Sequence, residues 1–375
     1  MNKKKLSLIV LGALVLYLAS GGLSYMVFNT ILKGPVSITT PFGSLVDVTS
    51  GYDEGEKNKP CPLNGALYTK KREEEWNNRR PLGVMIENHV NARPMLGLSR
   101  ADVIYEAVAE GGITRFLAMY LCAQAGDIAP VRSARTYFLD WLSEYDAAYA
   151  HVGGANTPGP ADALGQIRDY GIRDLDQFGL GFPTYWRGTD KLAPHNVHST
   201  TKKLWEAAEE RGWGAKDEAG KRWDENFIIW KFKDDAPMEQ RGDPQPIVVP
   251  FWGQAPDYTV TWQYDKNTNV YKRYHGQNPQ IDPITNEHLA AKNLIIQFQT
   301  ERTADDGYPD GHLLYQTSPQ GEALIAIDGR FIKGRWLKKD RLSRTKFVDL
   351  ENKEITFNRG QIWIETVPAG NEVQY

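Results

Sequence analysis

Four short stretches of this chain bring together residues capable of recognising an anion or moving a proton. "EGGITRF" (residues 110–116) sets Glu110 and Arg115 on either side of a glycine pair. "PVRSAR" (130–135) places Arg132 and Arg135 three apart, just ahead of a segment with helical spacing. "YAHVGGA" (149–155) ends an apolar run on His151, one residue before a second glycine pair. "APHNVHST" (193–200) carries His195, Asn196 and His198 in a turn-rich loop. The planar donor fork of arginine matches carboxylates and phosphates, and a helix N-terminus adds free N–H groups and a favourable dipole. Histidine is the side chain whose ordinary pKa suits proton transfer near neutrality. Glycines next to such groups let backbone N–H groups approach a ligand closely.

These types and spacings predict that Arg115, Arg132, Arg135, His151, His195 and Asn196 line one ligand-binding cleft, with Glu110 orienting an arginine. His151, His195 and Glu110 are the candidates for acid–base catalysis. Each has a plainer reading. Glu110 and Arg115 would form a solvated pair about a turn, Arg132 and Arg135 would bridge Asp140 and Glu144, and the histidines would be structural.

Other chemistries are set aside. His195 and His198 would face one metal only if their segment turned helically, and no HExxH-type context accompanies them, so no metal is expected. There is no G-x-S-x-G elbow and no GxxxxGK[ST] phosphate loop, and no cofactor is implied. The acid pairs Glu106 with Glu110 and Asp174 with Asp176 do not reveal their carboxyl separations, which a glycosidase assignment needs. A formal net charge of −3, with both signs mixed along the chain, gives no nucleic-acid footprint. Eleven tryptophans suit sugar-binding surfaces, and suit core packing better.

The positioning elements are short. "PLGVMIEN" (81–88), "FLAMYLC" (116–122) and "AAYAHVGG" (147–154) are apolar runs bounded by turn residues, as buried strands are. "SARTYFLDWLSEYD" (133–146), "PADALGQIRDYG" (160–171) and "TTKKLWEAAEERGWG" (200–214) have helical spacing. Strands alternating with helices predict a mixed α/β domain over residues 61–240. From about residue 245 the pattern changes to alternating runs rich in β-branched and aromatic residues, among them "YTVTWQYD", "NLIIQFQT" and "QIWIETVP". Residues 245–375 therefore read as a smaller, mainly antiparallel β domain, a sandwich or barrel. The fold class expected is α+β.

Lys3, Lys4 and Lys5 precede an uncharged run from Leu6 to Leu32, long enough to span a bilayer. Lysines before the run place the N-terminus in the cytoplasm and the rest outside. Residues 1–33 are thus expected to be a cytoplasmic lysine cluster and transmembrane anchor. A cleaved signal peptide is the alternative, with small residues at Ala19-Ser20-Gly21. Residues 34–60 lack periodicity and read as a linker. The two cysteines, Cys61 and Cys122, then lie in an oxidising exterior and are expected to form a disulfide.

"RRPLGVMIENHVNARPMLGLSRADVIYEAVAEGGITRF", "PVRSARTYFLDWLSEYDAAYAHVGGA", "KLAPHNVHST" and the C-terminal "QIWIETVP" together resemble the YerB-like bacterial envelope proteins. The resemblance covers about residues 60–370. It implies a larger N-terminal and a smaller C-terminal part, an envelope location, and no known reaction. The founding member resembles a lipoprotein, whereas no cysteine sits in the N-terminal segment here. The family's C-terminal part resembles Gly-x-Pro-His-x-Asp, while this chain reads "GQNPQID" with Gln280 at the histidine, so no active site is assigned there. The expected function is that of a single-pass, extracytoplasmic envelope protein binding an anionic, glycan or peptide ligand in an Arg/His-lined cleft. Cell-wall glycan, peptide or an envelope protein is the expected partner. The alternative is a hydrolase or lyase on an envelope polymer, with histidine as general acid/base.

Overall fold

A computed structural model describes residues 55–375 apart from residue 310, together with the backbone of a short antiparallel strand pair, Ser37–Thr39 with Leu45–Asp47. The expected transmembrane anchor, residues 1–33, lies outside the described residues, as does most of the linker. Among the described residues no helix is long and apolar enough to cross a membrane.

In the first part of the chain, runs apolar on both faces become central strands, as sheets covered on both sides require. Strand β1 (Leu82–Glu87) is buried throughout, and β2 (Val103–Glu110) and β3 (Ile113–Tyr120) nearly so. The β2–β3 turn is Gly111-Gly112, both with positive φ, which a two-residue type I′ hairpin demands. At Gly112 a Cβ would also meet the Ala255 side chain at 2.5 Å. Helix α1 (Thr136–Ser143) buries Tyr137, Phe138, Trp141 and Leu142 and leads into β4 (Ala148–His151). Helix α2 (Ala163–Asp169), its first turn capped by Asp162, leads into β5 (Arg173–Asp176). A short hairpin, β6 (Trp186–Arg187) with β7 (Val197–His198), precedes α3 (Thr201–Glu209), which is capped by Thr200.

The C-terminal half does not close on itself as a sandwich or barrel. Strands β8 (Ile247–Val249), β9 (Val260–Asp265), β10 (Val270–His275) and β11 (Asn278–Pro279) form a small antiparallel sheet, joined by Ala290–Ala291. Strands β12 (Asn293–Gln299), β13 (Gln320–Ile327), β14 (Arg330–Leu337), β15 (Lys346–Asp349) and β16 (Ile362–Pro368) instead extend the main sheet. That sheet has ten strands in the order β15-β14-β13-β12-β16-β2-β3-β1-β4-β5. Strand β16 lies parallel between β12 and β2 and welds the two halves of the sequence together. Residues 53–375 accordingly form one compact unit. The chemistry of the two halves explains this arrangement: β12 and β16 are too apolar to sit at an edge, so they lie inside a larger sheet. Cys61 and Cys122 are joined in a disulfide, and both are buried.

Candidate functional site at the carboxyl edge of the sheet

Strands β12, β16, β2, β1, β4 and β5 run in one direction: β16 is parallel to β12 and β2, β1 to β4, and β4 to β5. Antiparallel β3 separates β2 from β1 and so preserves the sense across the gap. The carboxyl ends of three of these strands bring Glu110, Glu87 and His151 to one edge, and β5 ends there on Asp176. Open α/β sheets hold ligands outside such ends.

Glu110 is saturated by the protein itself. Its Oε1 lies 2.5 Å from Arg115 Nη2, while Oε2 accepts from Arg135 Nη2 at 2.6 Å and Nε at 2.9 Å. Arg115 also donates to the Ser133 carbonyl and Arg135 to the Ala134 carbonyl. Burial works to raise the Glu110 carboxyl, but the two guanidinium groups outweigh it and hold it below its ordinary value. Burial, reinforced by repulsion from Arg135, pushes Arg115 down to about 10. Arg135 is the N-cap residue of α1, and its guanidinium, expected to meet a ligand anion at that helix start, is taken by Glu110. Neither arginine bridges Asp140 or Glu144. Asp140 accepts from Thr317, and Glu144 is held by Lys338 and Arg344.

Glu87, which is not among the residues expected from the sequence, organises a second cluster. Only 4% of its side chain is exposed. Its Oε1 lies 3.2 Å from Arg132 Nε, and its Oε2 lies 3.0 Å from His195 Nδ1. His89 stacks on His195 with centroids 4.7 Å apart. Burial and then His195 push His89 below its ordinary value. The Arg132 side chain is 24% exposed and that of His195 16%. Among the described residues the Arg132 guanidinium makes no hydrogen bond, its contact to Glu87 being an ion pair without hydrogen-bond geometry. The readable signal was a carboxylate and a histidine closing an apolar run, "MIENH".

His151 needs correcting. It is wholly buried, with Nε2 2.9 Å from Asp174 Oδ1 and Nδ1 2.8 Å from the Gly153 carbonyl oxygen. Both ring nitrogens are spent, Nε2 tying β4 to β5 and Nδ1 on the loop just after β4, so the structure gives it no face for a ligand. Asn196 is spent likewise: it donates to the Gly188 carbonyl and accepts from Arg187, closing the β6–β7 hairpin. His198 sits between Asp127 at 2.9 Å and Asp190 at 3.3 Å, not beside His195 on a metal. Among the described residues, the one group placed to hold a metal comprises Asp102 and the two disulfide cysteines, whose thiols are spent. The structure thus brings Glu110, Arg115 and Arg135 together, and Arg132 and His195 onto Glu87. It sends His151 and Asn196 into the framework.

Gln280 also has a structural partner. Its side-chain oxygen accepts from Arg273, a fully buried arginine whose Nη2 lies 2.6 Å from Glu106.

The fold and this edge define a mixed α+β protein with a carboxylate, arginine and histidine cluster outside parallel strand ends. Models of the N-terminal and C-terminal domains of a protein of unknown function (DUF3048) match residues 68–214 and 247–364, and the chain belongs to that family. It is 30% identical over 314 residues to "Putative lipoprotein YerB" of Bacillus subtilis (strain 168), spanning 83% of this chain and 87% of that protein. The crystal structure of the YerB protein from Bacillus subtilis matches with a TM-score of 0.70 at 26% identity. That match covers 85% of this chain and 100% of the other.

Proposed function

We propose that the protein is a membrane-associated, extracytoplasmic component of the bacterial envelope that binds an anionic group of a glycan, peptide or related polymer at the Glu87 cluster. The lipoprotein description of its relative supports an envelope location, and the lysines before the Leu6–Leu32 run support tethering by that segment. One observation carries the binding reading. Arg132 is oriented by a buried carboxylate, is partly open to solvent and, among the described residues, keeps its guanidinium donors unused. A guanidinium held so is ready for a bidentate anion, whereas Arg115 and Arg135 are buried and already donate to Glu110 and to backbone carbonyls. Calorimetric titration of the full-length protein with inorganic phosphate tests it. Binding should be lost in Arg132→Ala and retained in Asn196→Ala. Equal affinity in Arg132→Ala and the wild type would refute the site.

A further inference from the structure

The two histidines beside Glu87 are locked in opposite tautomers. His195 presents Nδ1 to Glu87 Oε2 at 3.0 Å. A carboxylate accepts and does not donate, so Nδ1 carries the proton and Nε2 keeps a lone pair. His89 does the reverse: its Nδ1 accepts from the Asn91 backbone N–H at 3.1 Å, which leaves the proton on Nε2. The rings stack with an interplanar angle of 13°. Among the described residues neither Nε2 atom has a hydrogen-bond partner. One lone pair, one N–H and one unspent guanidinium, that of Arg132, therefore sit around a single buried carboxylate.

We propose that this cluster hydrolyses a phosphodiester, with His195 as general base, Arg132 and His89 holding the phosphoryl oxygens, and Glu87 as a positioning residue. The proposal rests on the reading that this edge holds an anion. A phosphodiester carries charged oxygens beside its scissile bond before any reaction, which the unused donors of Arg132 can hold; a neutral ester offers them no charged oxygen. No hydroxyl or thiol side chain is bonded to His195 among the described residues, so the attacking oxygen is that of water.

His195 Nε2 takes a proton from water as the water oxygen forms the new P–O bond. The P–O bond to the leaving alcohol, opposite the attacking water, breaks; the leaving oxygen takes its proton from solvent, and the imidazolium of His195 gives its proton back to solvent. Water is consumed, a phosphomonoester and an alcohol are formed, and the histidine ends as it began. Neutral His89 donates from Nε2 without losing its proton. Glu87 holds His195 in the productive tautomer and orientation, the part a carboxylate plays beside a catalytic histidine.

The test uses detergent-solubilised full-length protein and bis(para-nitrophenyl) phosphate, with inorganic phosphate binding followed in parallel. Turnover is expected in the wild type. His195→Ala should lower kcat by about 10²–10⁴-fold, the usual worth of a general base. Added imidazole should restore part of that loss while phosphate binding persists. Arg132→Ala should lose phosphate binding and kcat/KM together. Phosphate binding without turnover, or turnover unchanged in His195→Ala, overturns the hydrolytic assignment and leaves the anion site standing. Failure of the wild type to bind phosphate overturns both.

Discussion

Glu365 stands directly across from Glu106 in the parallel ladder that joins the C-terminal strand β16 to the N-terminal strand β2. Both are fully buried, with one cation between them: Arg273 Nη2 lies 2.6 Å from Glu106. Two carboxylates cannot both ionise beside one guanidinium in such a place. Burial first, and then the negative charge on Glu106, push Glu365 well above the carboxylate range. The seam between the two halves of the sequence is thus held by one neutral acid, one carboxylate and one arginine. Trp262 donates to Glu365 at 2.8 Å, and Asn88 and Thr114 donate to Glu106.

That assignment predicts an asymmetry. Glu365→Gln keeps a neutral side chain of the same shape and should change stability by less than about 1 kcal/mol. Glu106→Gln leaves Arg273 buried without its counter-ion and should cost about 3–5 kcal/mol. Urea unfolding of the two variants measures this. Equal losses would mean that Glu365, too, is ionised.

His198 predicts a pH dependence. Both ring nitrogens face carboxylates, Asp127 and Asp190, and Asp190 also holds Lys191 at 3.1 Å. Trp186 stacks on the ring. Burial works against the imidazolium, but the two carboxylates outweigh it and raise the group above its ordinary value. A histidine raised on folding lends stability that is fully present below its unfolded pKa, about 6.5. That stability fades as pH rises through the folded value. His198→Gln should therefore lower the melting temperature more at about pH 6 than at roughly pH 9. An equal loss at both would show that charge plays no part.

The disulfide between Cys61 and Cys122 links the start of the folded unit to the end of β3 across 61 residues. Closing a loop of that length adds about 2–4 kcal/mol by restricting the unfolded chain. The Cys61→Ser and Cys122→Ser double variant should unfold at correspondingly lower denaturant. Unchanged unfolding would show that packing around the buried pair suffices without the bond.

The legible parts of this fold were those that depend on neighbours in sequence. "PLGVMIEN" shows its strand because it carries no polar side chain before Glu87 and the run is short. Glycines 111 and 112 announce the turn that brings Glu110 and Arg115 together. Partners distant in sequence were not legible. Nothing in "QIWIETVP" says that it slots between β2 and β12, because an apolar run records burial and not which strand lies beside it. His151 misled for a related reason: a histidine at a strand end beside glycines looks open until Asp174, on the next strand, takes its free nitrogen. Glu87 and His89 were overlooked because each acts through His195, 108 residues on in the case of Glu87.

The N-terminal lysines and the apolar run predict orientation. External protease on intact cells should digest the chain beyond Lys33 and leave a small membrane-bound fragment. Protection of the whole chain until the cells are broken would reverse the assignment.

The two kinds of arginine at the carboxyl edge should separate cleanly on mutation. Arg135 is buried and holds Glu110 through two hydrogen bonds, and Arg115 alone is left to hold that carboxylate if Arg135 is lost. Breaking a buried pair in this way should cost about 3 kcal/mol or more. Among the described residues the Arg132 guanidinium makes no hydrogen bond, and its loss still leaves Glu87 with His195. Arg132→Ala should cost less than Arg135→Ala, because Arg132 is partly exposed and His195 still hydrogen-bonds the Glu87 carboxylate. The same variant should abolish anion binding, while Arg135→Ala, measured well below its lowered melting temperature, should retain it. Thermal unfolding and phosphate titration on the two proteins decide the matter together. A large stability loss in Arg132→Ala would make it one more strut of the framework, as His151 is, and the Glu87 cluster would lose its claim to a ligand.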